Sequence, residues 1–367
     1  MCEGMMRYIH WMKKAIVLEM FLLAVAFTVL YGRYRNEKLV PLTDVIETTS
    51  DGEEFIKWVD FKVSYEALCA AYEWDVATYG QKIHIEWIPL LAYTAARNGG
   101  EFDKAALNDL QKAGERIASG ETSIDELTVD LKYYSYYLEA YEAVLGGFVG
   151  EYQIEAEQEN GELIWEEKYG LKAFLPIAKG FPYQDYDDFG ASRSYGYDRQ
   201  HLGHDMMGQV GTPIVAVESG YVEALGWNQY GGWRIGIRSF DKKRYYYYAH
   251  LRQNFPYCKT LEEGSVVTAG DVIGYMGHTG YSIEENVNNI DTVHLHFGMQ
   301  LIFDESQKES NNEIWIDCYA LTKFLYKNRS LAQKDTETKE WYRVYQMKDP
   351  MTEKYRKQSS ASGNSVL

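Results

Sequence analysis

The sequence predicts a multidomain α + β chain: one N-terminal transmembrane helix, a small helical bundle and a C-terminal antiparallel all-β domain. Three observations carry this reading. Residues 15 to 31 form an apolar run. Leu127, Leu131, Tyr134, Leu138, Tyr141 and Leu145 alternate four and three apart, as one face of a helix does. From Ile214 onward, short β-branched and aromatic segments are separated by glycine-bearing turns. A chain of 367 residues, 46% of them hydrophobic, has length for two or three units and material for buried cores. A formal charge of −17 speaks against nucleic acid as a partner, because phosphate binding needs a basic surface. Solubility is the simpler role for that charge.

The elements are justified in order. Ala15 to Tyr31 is interrupted only by Glu19 and Thr28, and Arg7, Lys13 and Lys14 precede it. It lies at the short end of the about 17–25 residues that span a bilayer. The basic flank places the N-terminus in the cytoplasm. Ala24-Val25-Ala26 resembles a signal-peptidase site, and cleavage there would start the chain at Phe27. The run continues past it, which favours an uncleaved anchor. Residues 1–32 are therefore read as a cytoplasmic stub and single-pass signal-anchor in the cell membrane, with the rest of the chain outside it. Residues 33–53, polar with Pro41 and Gly52, read as a linker.

Residues 54–150 read as the helical domain. Helices are expected at Ser64 to Val76, Glu86 to Arg97 and Asp103 to Ala118, with Pro89 suiting a first turn. One longer helix should start at the capping box Ser123-x-x-Glu126, carry the stripe, and end at Gly146-Gly147. The aromatic residues of this region suit core packing better than sugar stacking. Glu66, Glu73 and Asp75 suit a charged helix surface better than a glycosidase carboxylate pair. The bundle is thus expected to space or regulate the C-terminal domain, and the chain from about 165 onward to hold its metal unaided.

Residues 151–192 read as an acidic connector and 193–330 as the all-β domain. Its strands are expected at Ile214 to Val217, Tyr221 to Leu225, Trp233 to Ile237, Tyr245 to His250 and Val293 to Leu301, with Pro213 at a strand start. Ile314 to Tyr326 reads as a short helix. Residues 331–367 form an extension whose polar end, from Gln358, is expected to be disordered. Cys2, Cys69, Cys258 and Cys318 make no CxxC pair and no disulfide framework. Cys258 and Cys318 could pair, though buried thiols are the simpler reading.

The chemistry lies in two motifs, His201-Leu-Gly-His-Asp205 and Thr292-Val-His294-Leu-His296-Phe297. They offer two imidazoles and a carboxylate, with a spare imidazole alongside. A catalytic zinc site needs three N/O ligands and one position left for water. In extended chain, residues i and i+2, or i and i+4, share a face, so both spacings suit strands. His204 would then point away from the site. His10, His84 and His278 read as ordinary hydrogen-bonded histidines. Two histidines and a carboxylate also describe non-haem iron enzymes, a remote alternative.

These motifs sit in a longer ordered series: Gly211-Thr-Pro-Ile-Val-Ala-Val-Glu-Ser-Gly220, Tyr248-Ala-His250-Leu, Gly264-x-Val-Val-x-Ala-Gly270-x-Val-Ile-Gly274 and Gly277-His-Thr-Gly280. The series, over about a third of the chain, resembles the lysostaphin/LytM-type zinc endopeptidases, the M23 peptidase family, and the upstream chain resembles clostridial members of it. The resemblance implies that His201, Asp205 and His296 bind one Zn2+ and that His250 and His294 are catalytic. Tyr195 would contact the oxyanion or substrate. It further implies a membrane-anchored endopeptidase cutting peptidoglycan stem peptides or cross-links. A D-alanyl–diaminopimelate bond is the expected target, since such walls are often directly cross-linked. The alternative is a non-catalytic peptidoglycan-binding or scaffold relative of the same fold.

Overall fold

The computed structural model describes residues 46–48, 54–194, 198–308 and 312–361. The apolar run of 15 to 31, most of the linker and Tyr195 lie outside the described residues. Among the described residues, no helix is long and apolar enough to cross a membrane.

Strand β1 (Ile46–Thr48), within the stretch expected to be linker, pairs antiparallel with β2 (Glu54–Ile56). Five helices come next: α1 (Tyr65–Thr78), α2 (Trp87–Asn98), α3 (Lys104–Ala118), α4 (Ile124–Thr128) and α5 (Tyr134–Leu145). The Ser64 and Asp103 side chains accept from the first-turn amides of α1 and α3. α2 is apolar on nearly every side, with Trp87, Leu90, Leu91, Ala92 and Ala95 all buried. It accordingly takes the centre of the bundle, against α1, α3 and α5.

The single long helix expected from Ser123 to Leu145 is instead two. Its capping box forms as anticipated. The helix then stops at Thr128, whose hydroxyl donates to Ile124 O at 2.9 Å. A β-branched Thr128-Val129 pair favours helix little, and the threonine hydroxyl competes for the carbonyl at i−4. Asp75 corrects a second expectation. It is buried, and its carboxylate accepts from Trp87 N at 2.9 Å and Tyr169 Oη at 2.6 Å, with His84 Nε2 at 2.9 Å. It pins the loop between α1 and α2 and is no part of a charged surface.

The stretch expected to be an acidic connector contains a hairpin, β3 (Val149–Glu157) with β4 (Leu163–Leu171), closed around Asn160-Gly161. Short strands β5 (Gln184–Asp185), β6 (Ser192–Ser194) and β7 (Asp198–Gln200) lead into the β domain. That domain comprises β8 (His204–Met207), β9 (Pro213–Val215), β10 (Gly220–Asn228), β11 (Gly232–Ser239), β12 (Arg244–Ala249), β13 (Val266–Val267), β14 (Val272–Tyr275), β15 (His294–Leu301) and β16 (Ile314–Ile316). Its main sheet has 8 strands in the order β13-β10-β11-β12-β15-β8-β5, and β16 pairs with the second half of β15. The ladders of this sheet are antiparallel, as the alternating pattern requires.

Ile314 to Tyr326 is a strand followed by a helix, α6 (Tyr319–Leu325), rather than one helix. The extension then adds β17 (Ala332–Lys334), β18 (Trp341–Arg343), β19 (Met347–Lys348) and α7 (Pro350–Ala361). α7 runs into the segment expected to be disordered. β19 pairs with β3, so the end of the chain returns to the hairpin.

The helical region and the sheet share one hydrophobic core. Phe324 of α6 packs edge-on to Tyr72 of α1 and stacks on Trp87 of α2. Buried Arg244 of β12 bridges Glu218, at 2.8 and 3.1 Å, to the Ala143 carbonyl of α5 at 2.7 Å. Cys258 and Cys318 are both free thiols.

Candidate metal centre

β15 is a strand with two jobs. Leu295, Phe297, Met299 and Leu301 point into the core and are buried, while His294, His296, Gly298 and Gln300 fall on the opposite face. β8 lies beside it, with Asp205 opposite His296 and Met206 opposite Leu295. One imidazole and one carboxylate thus meet across a ladder that the apolar alternation fixes in register. His201 reaches the same spot from the coil before β8. His204 faces away, with its Nε2 3.1 Å from Asp185, as extended chain requires.

Gly203 makes the approach possible. A Cβ there would stand 2.5 Å from His296 Cε1 and 3.0 Å from Phe297 O. The glycine of the His-x-Gly-His-Asp motif is therefore a matter of space for a ring.

Three atoms converge. His201 Nε2 lies 3.0 Å from Asp205 Oδ1 and 3.1 Å from His296 Nδ1, and His296 Nδ1 lies 2.9 Å from Asp205 Oδ1. Ligands about 2.0–2.2 Å from a tetrahedral zinc stand about 3.3 Å from one another, so this triangle fits such an ion closely. Among the described residues it is the one group of histidine, cysteine and acidic side chains gathered this way. Burial pushes the Asp205 carboxyl up. Hydrogen bonds from His201 and His296, with the neighbouring His296 and His294 rings, outweigh it and hold the group well below the carboxylate range.

His294 and His250 stand beside the triangle. His294 Nε2 is 3.6 Å from Asp205 Oδ2. Its Nδ1 donates to Thr292 O at 2.8 Å, and His250 Nδ1 donates to Thr279 O at 2.9 Å. A carbonyl only accepts, so each neutral ring carries its proton on Nδ1 and keeps the Nε2 lone pair. The two rings are 4.7 Å apart, centroid to centroid. Burial, then the neighbouring His294 and His296, holds His250 well below the usual histidine value and so neutral. His250 also has φ of 61°, left-handed for a non-glycine residue. It is held there by His250 N donating to Gly231 O at 2.7 Å and Gly277 N donating to His250 O at 3.0 Å.

Two contributors escape a reading of the motifs. Asp188 lies 3.1 Å from His201 Nδ1, which directs the other nitrogen into the triangle. Arg193 donates to Asp205 Oδ2 at 2.7 Å and also pairs with Asp188. Both stand outside the two motifs, one in the connector and one at the edge of the β domain. The acidic run Asp185-Tyr-Asp187-Asp188 is the one sequence signal that points toward Asp188. His278 donates to Ile290 O at 2.7 Å, and Trp227 packs edge-on to Trp233, so both serve the fold.

A cavity of about 520 Å³ opens beside the triangle, lined by His201 and His296 at one end and by Arg234, Tyr247, Gln300 and Trp315 beyond. A wider groove of about 1070 Å³ between the Cys258–Val272 region and the C-terminal extension contains none of the converging groups.

The profile of "Peptidase family M23" matches residues 199–311, which hold the whole triangle and both flanking histidines. Residues 199–311 are thus an M23-type segment. This M23 segment is similar to the L-Ala–D-Glu endopeptidase of Bacillus subtilis (strain 168), 38% identical over 131 residues, covering 35% of this chain and 38% of that protein. It is also similar to lysostaphin of Staphylococcus staphylolyticus, 36% identical over 98 residues, covering 26% of this chain and 18% of that protein. The chain thus matches well under half the length of either. Among solved structures, the lysostaphin catalytic domain from Staphylococcus simulans is 29% identical with a TM-score of 0.30, covering 38% of this chain and 92% of that one.

Proposed function

We propose that this chain is a zinc endopeptidase that hydrolyses a peptide bond in peptidoglycan stem peptides, held at the membrane by residues 15 to 31. The observation that carries the proposal is the pairing of the His201–Asp205–His296 triangle with two flanking imidazoles, each donating from Nδ1 to a main-chain carbonyl and so leaving Nε2 for chemistry. His201 through Nε2, Asp205 through Oδ1 and His296 through Nδ1 would hold the metal. Bound zinc supplies Lewis acidity, bringing the pKa of a water down to about 7 and drawing electron density from a carbonyl.

The remaining chemistry belongs to the protein. Asp188 fixes the His201 tautomer, and Arg193 occupies Asp205 Oδ2, so that carboxylate offers Oδ1. His250 and His294, with protons parked on Nδ1 by the Thr279 and Thr292 carbonyls, can each accept a proton at Nε2 from the attacking water. Once protonated there, the same ring can return a proton to the leaving amine and donate to the oxygen on which charge develops. The left-handed His250 backbone and its two main-chain hydrogen bonds hold that ring in place.

Similarity to an L-Ala–D-Glu endopeptidase favours a bond within the stem peptide over a glycine bridge. An L-Ala–D-Glu bond within the stem and a D-alanyl–diaminopimelate cross-link between stems are the two candidates, and the first is preferred on this ground. The test is incubation of the purified zinc-loaded protein with defined muropeptides, with products read by mass spectrometry. New amino termini within the stem support the proposal; intact muropeptides at full zinc occupancy refute it.

A further inference from the structure

Beyond the metal, the floor of the adjoining cavity is built from one face of the sheet. Gly236 of β11, Tyr247 of β12 and Gly298 of β15 lie in one cross-strand row. Arg238, Tyr245 and Gln300 form the next row on one side. On the other side, Ala249, His296 and Asp205 are in register. Arg234 is two residues from Gly236 and shares its face, toward the metal end. It is thus about two strand spacings, about 10 Å, from His296 along the floor.

The cations around this cavity differ in one respect. Lys308 pairs with Glu223 at 2.7 Å. Arg238 pairs with Glu305 at 2.7 Å and Glu223 at 3.5 Å, and donates to Lys242 O. Arg193 is taken by Asp188 and Asp205. Arg234 has no ion pair among the described residues, and its Nε is enclosed without a hydrogen-bond partner. The Gln300 amide Nε2 is likewise enclosed and unpartnered, in a side chain only 3% exposed. Glu313, the carboxylate in the lining, accepts from Trp315 Nε1 at 2.8 Å. Enclosed donors without acceptors are unfavourable and call for an explanation at each site. A guanidinium offers a planar fork that matches the two oxygens of a carboxylate.

We infer that Arg234 recognises a free carboxylate on the substrate within one or two residues of the scissile bond. This rests on the peptidase reading of the site and adds a substrate class to it. Stem peptides carry such carboxylates, at γ-linked glutamate and at diaminopimelate, whereas a glycine bridge has none. In a chain with a formal charge of −17, a cleft guanidinium with no ion pair among the described residues selects acidic peptide against the overall repulsion.

The test uses the full zinc-loaded chain and two synthetic peptides, L-Ala-γ-D-Glu-L-Lys-D-Ala and its counterpart with the glutamate carboxylate converted to carboxamide. Cleavage is read as kcat/KM, and binding is measured in parallel by calorimetry on metal-free protein. The acid peptide should be favoured about 10–100-fold in both, the effect of one charge-assisted bidentate contact. Arg234→Gln should bring that ratio to within about threefold of one, and Arg234→Lys should keep part of it. The wild-type ratio needs no variant, so a variant that fails to fold does not block the test. A wild-type ratio near one, or an unchanged ratio in a folded Arg234→Gln protein, overturns the inference and leaves the peptidase reading standing. Acid-selective binding without cleavage of either peptide upholds the inference and sinks the peptidase reading. No binding and no cleavage overturns both.

Discussion

Replacing Gly203 with alanine should remove metal binding while leaving most of the folding free energy intact. The new Cβ would stand 2.5 Å from His296 Cε1 and 2.6 Å from its Nε2, where ordinary contact begins at 3.4 Å. The ring must therefore retreat by about 0.9 Å. Metal sites tolerate about 0.2 Å in a ligand distance. In metal-free protein the ring is the far end of a mobile side chain and can yield, although Phe297 O at 3.0 Å adds some backbone strain. That places the folding cost near 1 kcal/mol, the low end of the about 1–3 kcal/mol typical of overpacking. Loss of a well-placed ligand should exceed the about 10–100-fold that attends disturbance of a ligand's supporting partner. The assay is zinc competition against a chromophoric chelator, with urea unfolding of the metal-free protein alongside. Wild-type zinc affinity in Gly203→Ala would refute the role given to this glycine. Unfolding of the apoprotein by several kcal/mol would show that the strain falls on the backbone and not on the ligand.

The other predictions test separate parts of the site and its support. His250→Ala and His294→Ala should each retain zinc and lose about 10²–10⁴-fold in muropeptide cleavage; near wild-type rates would remove that residue from the mechanism. Asp188→Asn should weaken zinc binding about 10–100-fold without unfolding the chain, measured by the same competition. Burial pushes the Cys318 thiol well up, so it should resist a thiol reagent at pH 8 until denaturant is added, whereas half-buried Cys258, on the wide groove, should react first. Fast labelling of Cys318 in the native protein contradicts its burial. Arg244→Ala strands the Glu218 carboxylate and two α5 carbonyls, and should cost about 3–5 kcal/mol in chemical denaturation.

The donor groups of the triangle are legible in the sequence because their spacing is local, while the choice of His296 over His294 as the third member rests on the family resemblance. His294 and His296 share a face by strand alternation, and Asp205 meets His296 because Met206 and Leu295 must both turn into the core. Asp188 is not legible. It reaches His201 from before β6 and β7, and nothing in spacing alone selects it from Asp185 and Asp187. The break after Thr128 is hidden by a stripe that continues across it: Leu127, Leu131 and Tyr134 still pack on the core although Val129 to Tyr133 are not helical. The β3–β4 hairpin is masked by its charge, yet Asn160-Gly161 between the Tyr152-x-Ile154-x-Ala156 and Ile164-x-x-x-x-Tyr169 stretches is a turn signal. Asp75 looks like a surface acid because nothing in its own helix says that Tyr169, on a distant strand, will cover it.

The shared core bears on what the helical region does. The sequence suggests that a C-terminal piece starting near 165 holds its metal unaided, and the structure argues against it. Such a piece would begin inside β4 and lose the β3 strand on which β19 pairs. It would expose Phe324, which Tyr72 and Trp87 now cover, and would deprive Arg244 of the Ala143 carbonyl. Arg244 belongs to β12, and β12 pairs with β15 through Ala249 opposite His296. Damage at the helix–sheet seam is therefore one strand pairing away from a metal ligand. The bundle is best understood as one wall of the catalytic unit. The expected outcome is that the fragment from 165 binds zinc more weakly and unfolds at lower denaturant than a fragment from 54. A fragment from 165 matching the longer one in both measurements would restore the bundle to the status of a separable spacer.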